Sequence, residues 1–405
     1  MEREEILNDL DRLTQKMMYK KGINRYRIKI EGQSNKGDNY VGDITFFTVT
    51  SEENGKKYHL VMKTAKRSEE IRKIMGNGKL YTREMYMYSE VFPAIQSFGK
   101  LNATSIELKN IPKVYWVSQE DKRETIILEN LNIRGYRLWD RTKAMDMNHI
   151  MMVLRNYGIF HGLSMAMKHR EPELFKKLTK DLDNVMVAFC EMNEVVGIFE
   201  EGMKHAMKLL EEAGREDLVE KFKPIVNNIE YQLVKESKEE DKLVITHGDC
   251  WTNNMLFQYK QEKDSKPRNV CFVDFQLSTL DSPVKDLSYF IYACCDKSSL
   301  DQFDLLLNTY YDSLSCTLRD LDCRAENCLT LQLLKEHWKN YSVYGLVFST
   351  MVTKLALSSS DDAPDINEVG KGKDLKNVFD IRISNVEVYN RRILDMYTHF
   401  GDNCL

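Results

Sequence analysis

Proline is scarce: 7 residues in 405, about 2% where soluble proteins average about 5%. Disordered Pro-rich linkers are therefore not expected, and any two lobes of the chain should pack directly on each other. Clustered positive charge is also missing. Lys and Arg number 58 against 62 Asp and Glu, a net charge of −4, and the basic residues are scattered, so nucleic acid is not an expected partner. The longest apolar stretch, "YGLVFSTMVTKLAL" (344–357), is too short to span a bilayer and contains Lys354. The N-terminal "MEREEILNDLDRL" is acidic and amphipathic, without the apolar core of a signal peptide. The 9 Cys form no CxxC, and several lie in apolar runs such as "YACC" and "NVCFV". They read as free, buried thiols in a reducing compartment. The expectation is a cytoplasmic globular protein with no membrane contact.

A chain of 405 residues is too long for one ordinary core and suits two lobes. The first 130 residues carry most of the strand signals. "RYRIKI" (25–30) alternates apolar and basic residues. "DITFFTVT" (43–50) and "KYHLVMKT" (57–64) are β-branched and aromatic, joined by "SEENGK" with its Asn54-Gly55 turn. "KVYWVS" (113–118) and "ETIILEN" (124–130) form a second pair. The segment between the two pairs predicts a helix broken at Gly76-Asn77-Gly78. From about 145 onward helical spacing dominates, including the stretches 331–357 and 377–400. It is interrupted only by the short strands "LVIT", "NMLFQY" and "NVCFVDF". The fold class is α+β: a small antiparallel-sheet N-lobe, 1–130, and a large mainly helical C-lobe, 131–405. No internal repeat is present.

The interruption carries chemistry. "ITHGDCWTNNMLFQY" (245–259) breaks an apolar strand on His-Gly-Asp and resumes it after two Asn. Phosphoryl transfer depends on positioning and on positive charge near phosphate oxygens. Mg²⁺ supplies much of that charge and prefers oxygen ligands. In a kinase-type site, one Asp receives or orients the acceptor hydroxyl proton, an Asn five residues later binds metal, and a second Asp on the next strand-turn binds metal between the phosphates. Asp249 and Asn254 have this spacing, and "NVCFVDFQ" delivers Asp274. The polar segment between the two strands predicts a hairpin that brings Asn254 and Asp274 to one end.

The first lobe offers matching parts. "EGQSNKGDNYVGDITFF" contains Gly37 and Gly42, which would let backbone N–H groups approach phosphate, with Asn39 between them as a further candidate binding residue. Lys63, on the third strand in "LVMK", is placed to pair with phosphates. Glu84 is the expected helix acid that orients it, with Glu90 as the runner-up and Glu69 and Glu70 read as solvated cap residues. Glu129 to Leu131, in "ILENLN", would offer hinge groups to adenine.

Together "HGDCWTNNMLF", "VDFQ", "GDNYVGD", "LVMKTA", "YTREMYMYSEVFP" and "ILENLNIRGYRL" resemble the ecdysteroid kinase-like (CHK kinase-like) family, relatives of choline kinases and aminoglycoside phosphotransferases. The resemblance runs from about 30 to 290. Its family-specific marks are the Trp after HGD, the doubled Asn and the Gln of DFQ. It implies a two-lobed protein-kinase-like fold and ATP-dependent phosphorylation of a small-molecule hydroxyl. It also implies Asp249 as catalytic Asp, Asn254 and Asp274 as metal ligands and Lys63 as the phosphate-binding lysine. Asp286, in "PVKDLSYF", matches the family's downstream Asp and reads as structural, a cap for the apolar helix that follows. His247 reads as a loop brace and Trp251 as packing under the loop. Gly42 is a departure, since many relatives carry a small hydroxyl residue there.

Asp286 follows Asp274 by only twelve residues, too few for a peptide-docking activation segment, so a protein substrate is not expected. The Met and aromatic residues of the helical lobe, Met147, Met151, Met152, Met165, Met167, Tyr341, Tyr344, Phe348 and Met351, suit either a bulky apolar acceptor or plain core. The resemblance implies ecdysteroid-type steroid alcohols. Foreign alcohols or phenols remain an alternative, as does a catalytically silent ligand-binding protein that keeps the fold.

Overall fold

The computed structural model describes all residues except 1, 34–41, 75, 77, 103–107, 240–241, 262–263 and 360–363, and the side chains of 2, 3, 193 and 194. Gly37 and Asn39 lie outside the described residues.

Strand periodicity builds the first lobe. β1 (Tyr26–Gln33), β2 (Gly42–Ser51), β3 (Lys57–Ala65), β4 (Val114–Ser118) and β5 (Thr125–Glu129) form one antiparallel sheet in the order β1-β2-β3-β5-β4. The expected Asn54-Gly55 turn joins β2 to β3, with Gly55 at φ 71°. Alternate residues face opposite sides. Phe47, Val49, Leu60, Met62 and Ile127 turn to one face, where Ile6, Leu10, Leu13 and Met17 of the helix Glu2–Lys20 cover them. Lys63 is therefore on the other face. Its cross-strand neighbours there are Ile44 and Ile126. A one-residue slip would bury the lysine under the N-terminal helix.

The helix expected between the strand pairs is broken at Gly78, with φ 87°. It continues as Lys79–Tyr86, a π-helical turn Met87–Val91, and Phe92–Leu101. This unit does not stop at a lobe boundary. Tyr81, Met85, Tyr88 and Phe92 belong to the same buried cluster as Phe160 and Phe275, with the Phe92 and Phe275 rings 4.6 Å apart. The C-terminal residues Ile366, Val369, Leu375 and Val378 also reach back to pack on Ile71. The lobes thus pack directly, as the low proline content implied. The sheet ends at Glu129, beside the division at 130/131 that we propose for the two lobes.

The second lobe is mainly helical. The helix Met147–Arg170, N-capped by Asp146, lies along Phe303–Asp320. Two small sheets are set into it: β6 (Tyr136–Leu138), β8 (Met255–Gln258) and β9 (Asn269–Phe272) in the order β6-β8-β9, and β7 (Val244–Ile245) with β10 (Leu280–Asp281). Two sequence expectations are corrected. The stretch 331–357 is two helices, Leu331–Tyr341 and Val343–Ala356, breaking at Ser342. In the stretch 377–400, the helices Leu375–Val378 and Val386–Cys404 flank a non-helical segment where Ile383 bridges to Ser358. The methionines before the motif are core: Met165 and Met167 are buried, and Met147, Met151 and Met152 pack against the same cluster.

Candidate active site

The His-Gly-Asp turn leaves β7 and is held from below. The backbone N–H groups of His247 and Gly248 donate to the two carboxylate oxygens of Asp286 at 2.7 and 2.9 Å. His161 Nε2 meets Asp286 Oδ2 at 3.1 Å. Burial pushes the Asp286 carboxyl up, but the bonds from His161 and the loop backbone outweigh it and hold it below the usual carboxylate range. The reading of Asp286 as the cap of its own helix is corrected. Ser282 caps the helix Pro283–Cys294, which frees the Asp286 carboxylate for the loop. Gly248, at φ 85°, admits no side chain, because a Cβ would lie 2.1 Å from the Leu277 carbonyl. His247 is buried, and burial lowers its pKa and keeps it neutral. Its Nε2–H donates to the Val273 carbonyl at 3.0 Å, and its Nδ1 accepts from the Asp249 N–H at 3.1 Å. Trp251 is buried in the main core.

The β8–β9 hairpin pairs Met255 with Phe272, so Asn254 and Asp274 flank one end of it. Asn254 Nδ2 donates to Asp249 Oδ2 at 2.8 Å and to the Asp249 carbonyl at 3.0 Å. Asp274 has φ 67°, a left-handed conformation that Asp tolerates better than most residues. Its Oδ1 is 2.8 Å from Lys63 Nζ, and Glu84 Oε2 is 2.7 Å from the same nitrogen. Lys63 and Glu84 are both buried, whereas Glu69, Glu70 and Glu90 are exposed. Burial pulls the Lys63 ammonium down, but Asp274 and Glu84 raise it overall, so it stays charged. Glu84 is raised by burial, with Lys63 opposing.

A lysine between a helix carboxylate and a strand-end Asp, facing an Asp–Asn loop, is a kinase-type arrangement. The ecdysteroid kinase-like family model matches residues 36–323. The chain belongs to the ecdysteroid kinase-like family. That membership supports a small-molecule kinase with the two-lobed kinase-like fold. Two solved structures align at 11% identity: the GDP complexes of a point mutant and of wild-type aminoglycoside 2'-phosphotransferase-IIIa. Their TM-scores are 0.41 and 0.36, over 85% and 79% of this chain and 91% and 92% of theirs. Comparison with curated proteins gave no match. No helix among the described residues is long and apolar enough to cross a membrane.

In this member of the family a cavity of about 360 Å³ opens between the lobes. Ile44, Val61 and Leu128 line it from the sheet, Leu256 and Val273 from the hairpin, and Lys63, Asn254 and Asp274 stand at its polar end. Glu129, Asn130 and Leu131 close one side. The Glu129 carboxylate is already engaged, accepting from the Lys113 N–H at 2.8 Å and pairing with Arg134 at 3.1 Å. The Glu129 backbone N–H is engaged as well, donating to the Lys113 carbonyl at 2.9 Å. Gly42 has no room for a side chain. A Cβ would lie 1.7 Å from the Tyr81 hydroxyl, which donates to the Thr64 carbonyl at 3.0 Å. Tyr81 occupies the space that a hydroxyl residue at 42 would need.

The donor set fits Mg²⁺ coordinated partly by nucleotide. Among the described residues no group of three or more His, Cys, Asp or Glu could hold a metal ion. Mg²⁺ needs no such cage, since one or two carboxylates complemented by phosphates and water suffice. Asn254 spends its amide N–H₂ on Asp249, leaving its carbonyl oxygen to serve with the Asp274 carboxylate, both residues lining the same cavity.

One partner of Asp249 was missed. The Tyr289 hydroxyl donates to Asp249 Oδ1 at 2.9 Å. Burial raises the Asp249 carboxyl to about 7, and the charge of Asp274 adds to this. The bonds from Tyr289 and Asn254, and Lys63, pull it back down. The available signal was position: Tyr289 is three residues after Asp286 on one helix, and therefore on the same face.

Proposed function

We propose that the protein is an ATP-dependent kinase that phosphorylates a hydroxyl group of a bulky, apolar small molecule, with an ecdysteroid-type steroid alcohol as the favoured acceptor. The observation that carries this reading is the convergence of Lys63, Asn254 and Asp274 at the polar end of one apolar cleft, with Asp249 hydrogen-bonded to Asn254 behind them. Asp249 orients the acceptor hydroxyl and takes its proton, a role suited to a carboxyl tuned to about 7. Asn254 and Asp274 are the metal ligands. Mg²⁺, when bound, supplies positive charge to the phosphate oxygens. Lys63, steadied by Glu84, binds phosphate. The backbone carbonyl of Glu129 and the backbone of Leu131 receive the adenine. The intact set speaks against a catalytically silent ligand-binding protein.

The test is a panel of steroid and phenolic alcohols incubated with Mg²⁺ and ATP and read by mass for the gain of one phosphate. Steroid alcohols should be modified. Phenols modified in their place would favour the detoxifying alternative. Asp249→Asn should lower turnover by on the order of 10²–10⁴. Near-full turnover by that variant would refute the assignment.

A further inference from the structure

The helix Lys79–Tyr86 carries two buried charges side by side. Glu84 reaches Lys63 in the first lobe at 2.7 Å. Arg83, 5% exposed, is turned about 100° from it around the helix and reaches the second lobe. Its Nη1 donates to the carbonyls of Asp183 and Ser278 at 2.5 and 2.8 Å. Its Nη2 donates to the Asp181 carbonyl at 3.3 Å and to the Asp183 carboxylate. Lys79, one turn earlier, adds a bond to Asp183 at 2.5 Å.

These acceptors are tied to the reaction centre. Ser278 lies four residues after Asp274, and its hydroxyl donates to the His247 carbonyl of the catalytic turn at 3.3 Å. The Thr246 N–H donates to the Thr279 carbonyl at 2.9 Å, and the Thr279 hydroxyl donates to the Leu182 carbonyl at 3.0 Å. The segments 181–183 and 278–279 and the start of the catalytic turn are therefore one bonded unit, and Arg83 docks its helix on that unit. Burial works against the Arg83 charge, and Asp183 only partly offsets it. A buried charge of this kind adds little net stability, but its planar fork of donors fixes direction as well as distance.

We propose that Arg83 is a positioning residue for phosphoryl transfer. By docking its helix on the unit that adjoins Asp274 and Asp249, it sets where the Glu84 carboxylate stands and so where Lys63 meets the phosphates. It touches no reacting atom and acts through Glu84. This role rests on the kinase reading above, but it is tested by binding and needs no turnover.

Mg²⁺-ATP is titrated calorimetrically into four versions of the full chain: wild type, Arg83→Met, Glu84→Gln and the double variant. Each single change should weaken binding roughly 3- to 100-fold, the range of coupling between residues of one network. The double variant should match Glu84→Gln to within about twofold, because Arg83 then has no carboxylate left to place. A merely structural role would instead multiply the two losses. Arg83→Lys, which keeps the charge but not the planar fork, should fall between wild type and Arg83→Met. Multiplied losses in the double variant, or wild-type affinity in Arg83→Met, would each overturn the inference. If Arg83→Met does not fold, Arg83→Lys takes its place in the cycle and the same non-additivity is required. No binding by wild type would strike the kinase reading itself, whereas wild-type binding with multiplied losses would strike only the role of Arg83.

Discussion

Tyr289→Phe isolates the charge state of Asp249 from its position. The phenyl ring preserves the packing on Phe348 at 5.2 Å, and the variant loses only the hydroxyl that donates to Asp249 Oδ1 at 2.9 Å. A hydrogen bond to a charged group contributes about 1.5–3 kcal/mol, and one pKa unit corresponds to about 1.36 kcal/mol. Without the bond, the Asp249 pKa should rise by about 1–2 units. A base works only when ionised, so activity falls as pH drops through its pKa, and a raised pKa moves that limb to higher pH. From a starting value of about 7, the ionised fraction at pH 7 falls from about one half to between about one tenth and one hundredth. The rate should drop about 5- to 50-fold at pH 7 and recover by about pH 10. The assay is the pH dependence of Mg²⁺-ATP hydrolysis with water as acceptor, compared between the two proteins. Mg²⁺ beside Asp274 moves both limbs together, so their separation is the quantity to read. An unmoved limb, or a rate loss constant across pH, would refute the reasoning.

Three further outcomes follow from the same contacts. Lys63→Met leaves Glu84 and Asp274 without the ammonium they share, so the nucleotide-free protein should lose about 3–5 kcal/mol in urea denaturation, with the loss easing as the pH is lowered and Glu84, already raised by burial, takes up a proton. Gly42→Ala puts a methyl 1.7 Å from the Tyr81 hydroxyl and should cost about 1–3 kcal/mol by the same measurement. Adding Tyr81→Phe should recover only part of this, since the Thr64 carbonyl at 2.6 Å remains. The raised Asp249 pKa means that the native state keeps a proton which the unfolded chain releases above pH 3.8. Its contribution to stability therefore falls as pH rises from about 4 to about 7, by at most about 4 kcal/mol. Asp249→Asn should flatten that fall relative to wild type, and parallel pH–stability curves for the two proteins would contradict it.

Elements whose residues alternate or cluster locally were legible in the sequence. Each of the first five strands falls within three residues of its expected bounds, because β-branched and aromatic residues at period two leave little choice of face. Asp249, Asn254 and Asp274 group by motif spacing and Lys63 by its place on the third strand, whereas Glu84 is set apart from Glu90 only by the fold, which buries it against Lys63. β6 was not legible, since three residues carry no period and Tyr136–Leu138 becomes a strand only by pairing with Gln258 to Leu256. The helix break at Ser342 had no Gly or Pro to announce it.

Asp286 shows why motif reading stops where it does. Its pattern matches a cap, but its partners are 38 and 39 residues away, and only the fold brings them within reach. The helix Pro283–Cys294 then serves Asp249 twice from one face, through Asp286 under the loop backbone and Tyr289 on the carboxylate itself. These two supports act by different means, so their removal should be distinguishable. Asp286→Ala frees two backbone N–H groups and leaves His161 facing a void, displacing Asp249. The resulting rate loss should be nearly constant with pH and be accompanied by about 3–5 kcal/mol of lost stability. Tyr289→Phe should spare stability and move the pH limb. A pH-shifted profile for Asp286→Ala, with unfolding unchanged, would mean that Asp286 acts on the charge of Asp249 and not on its place.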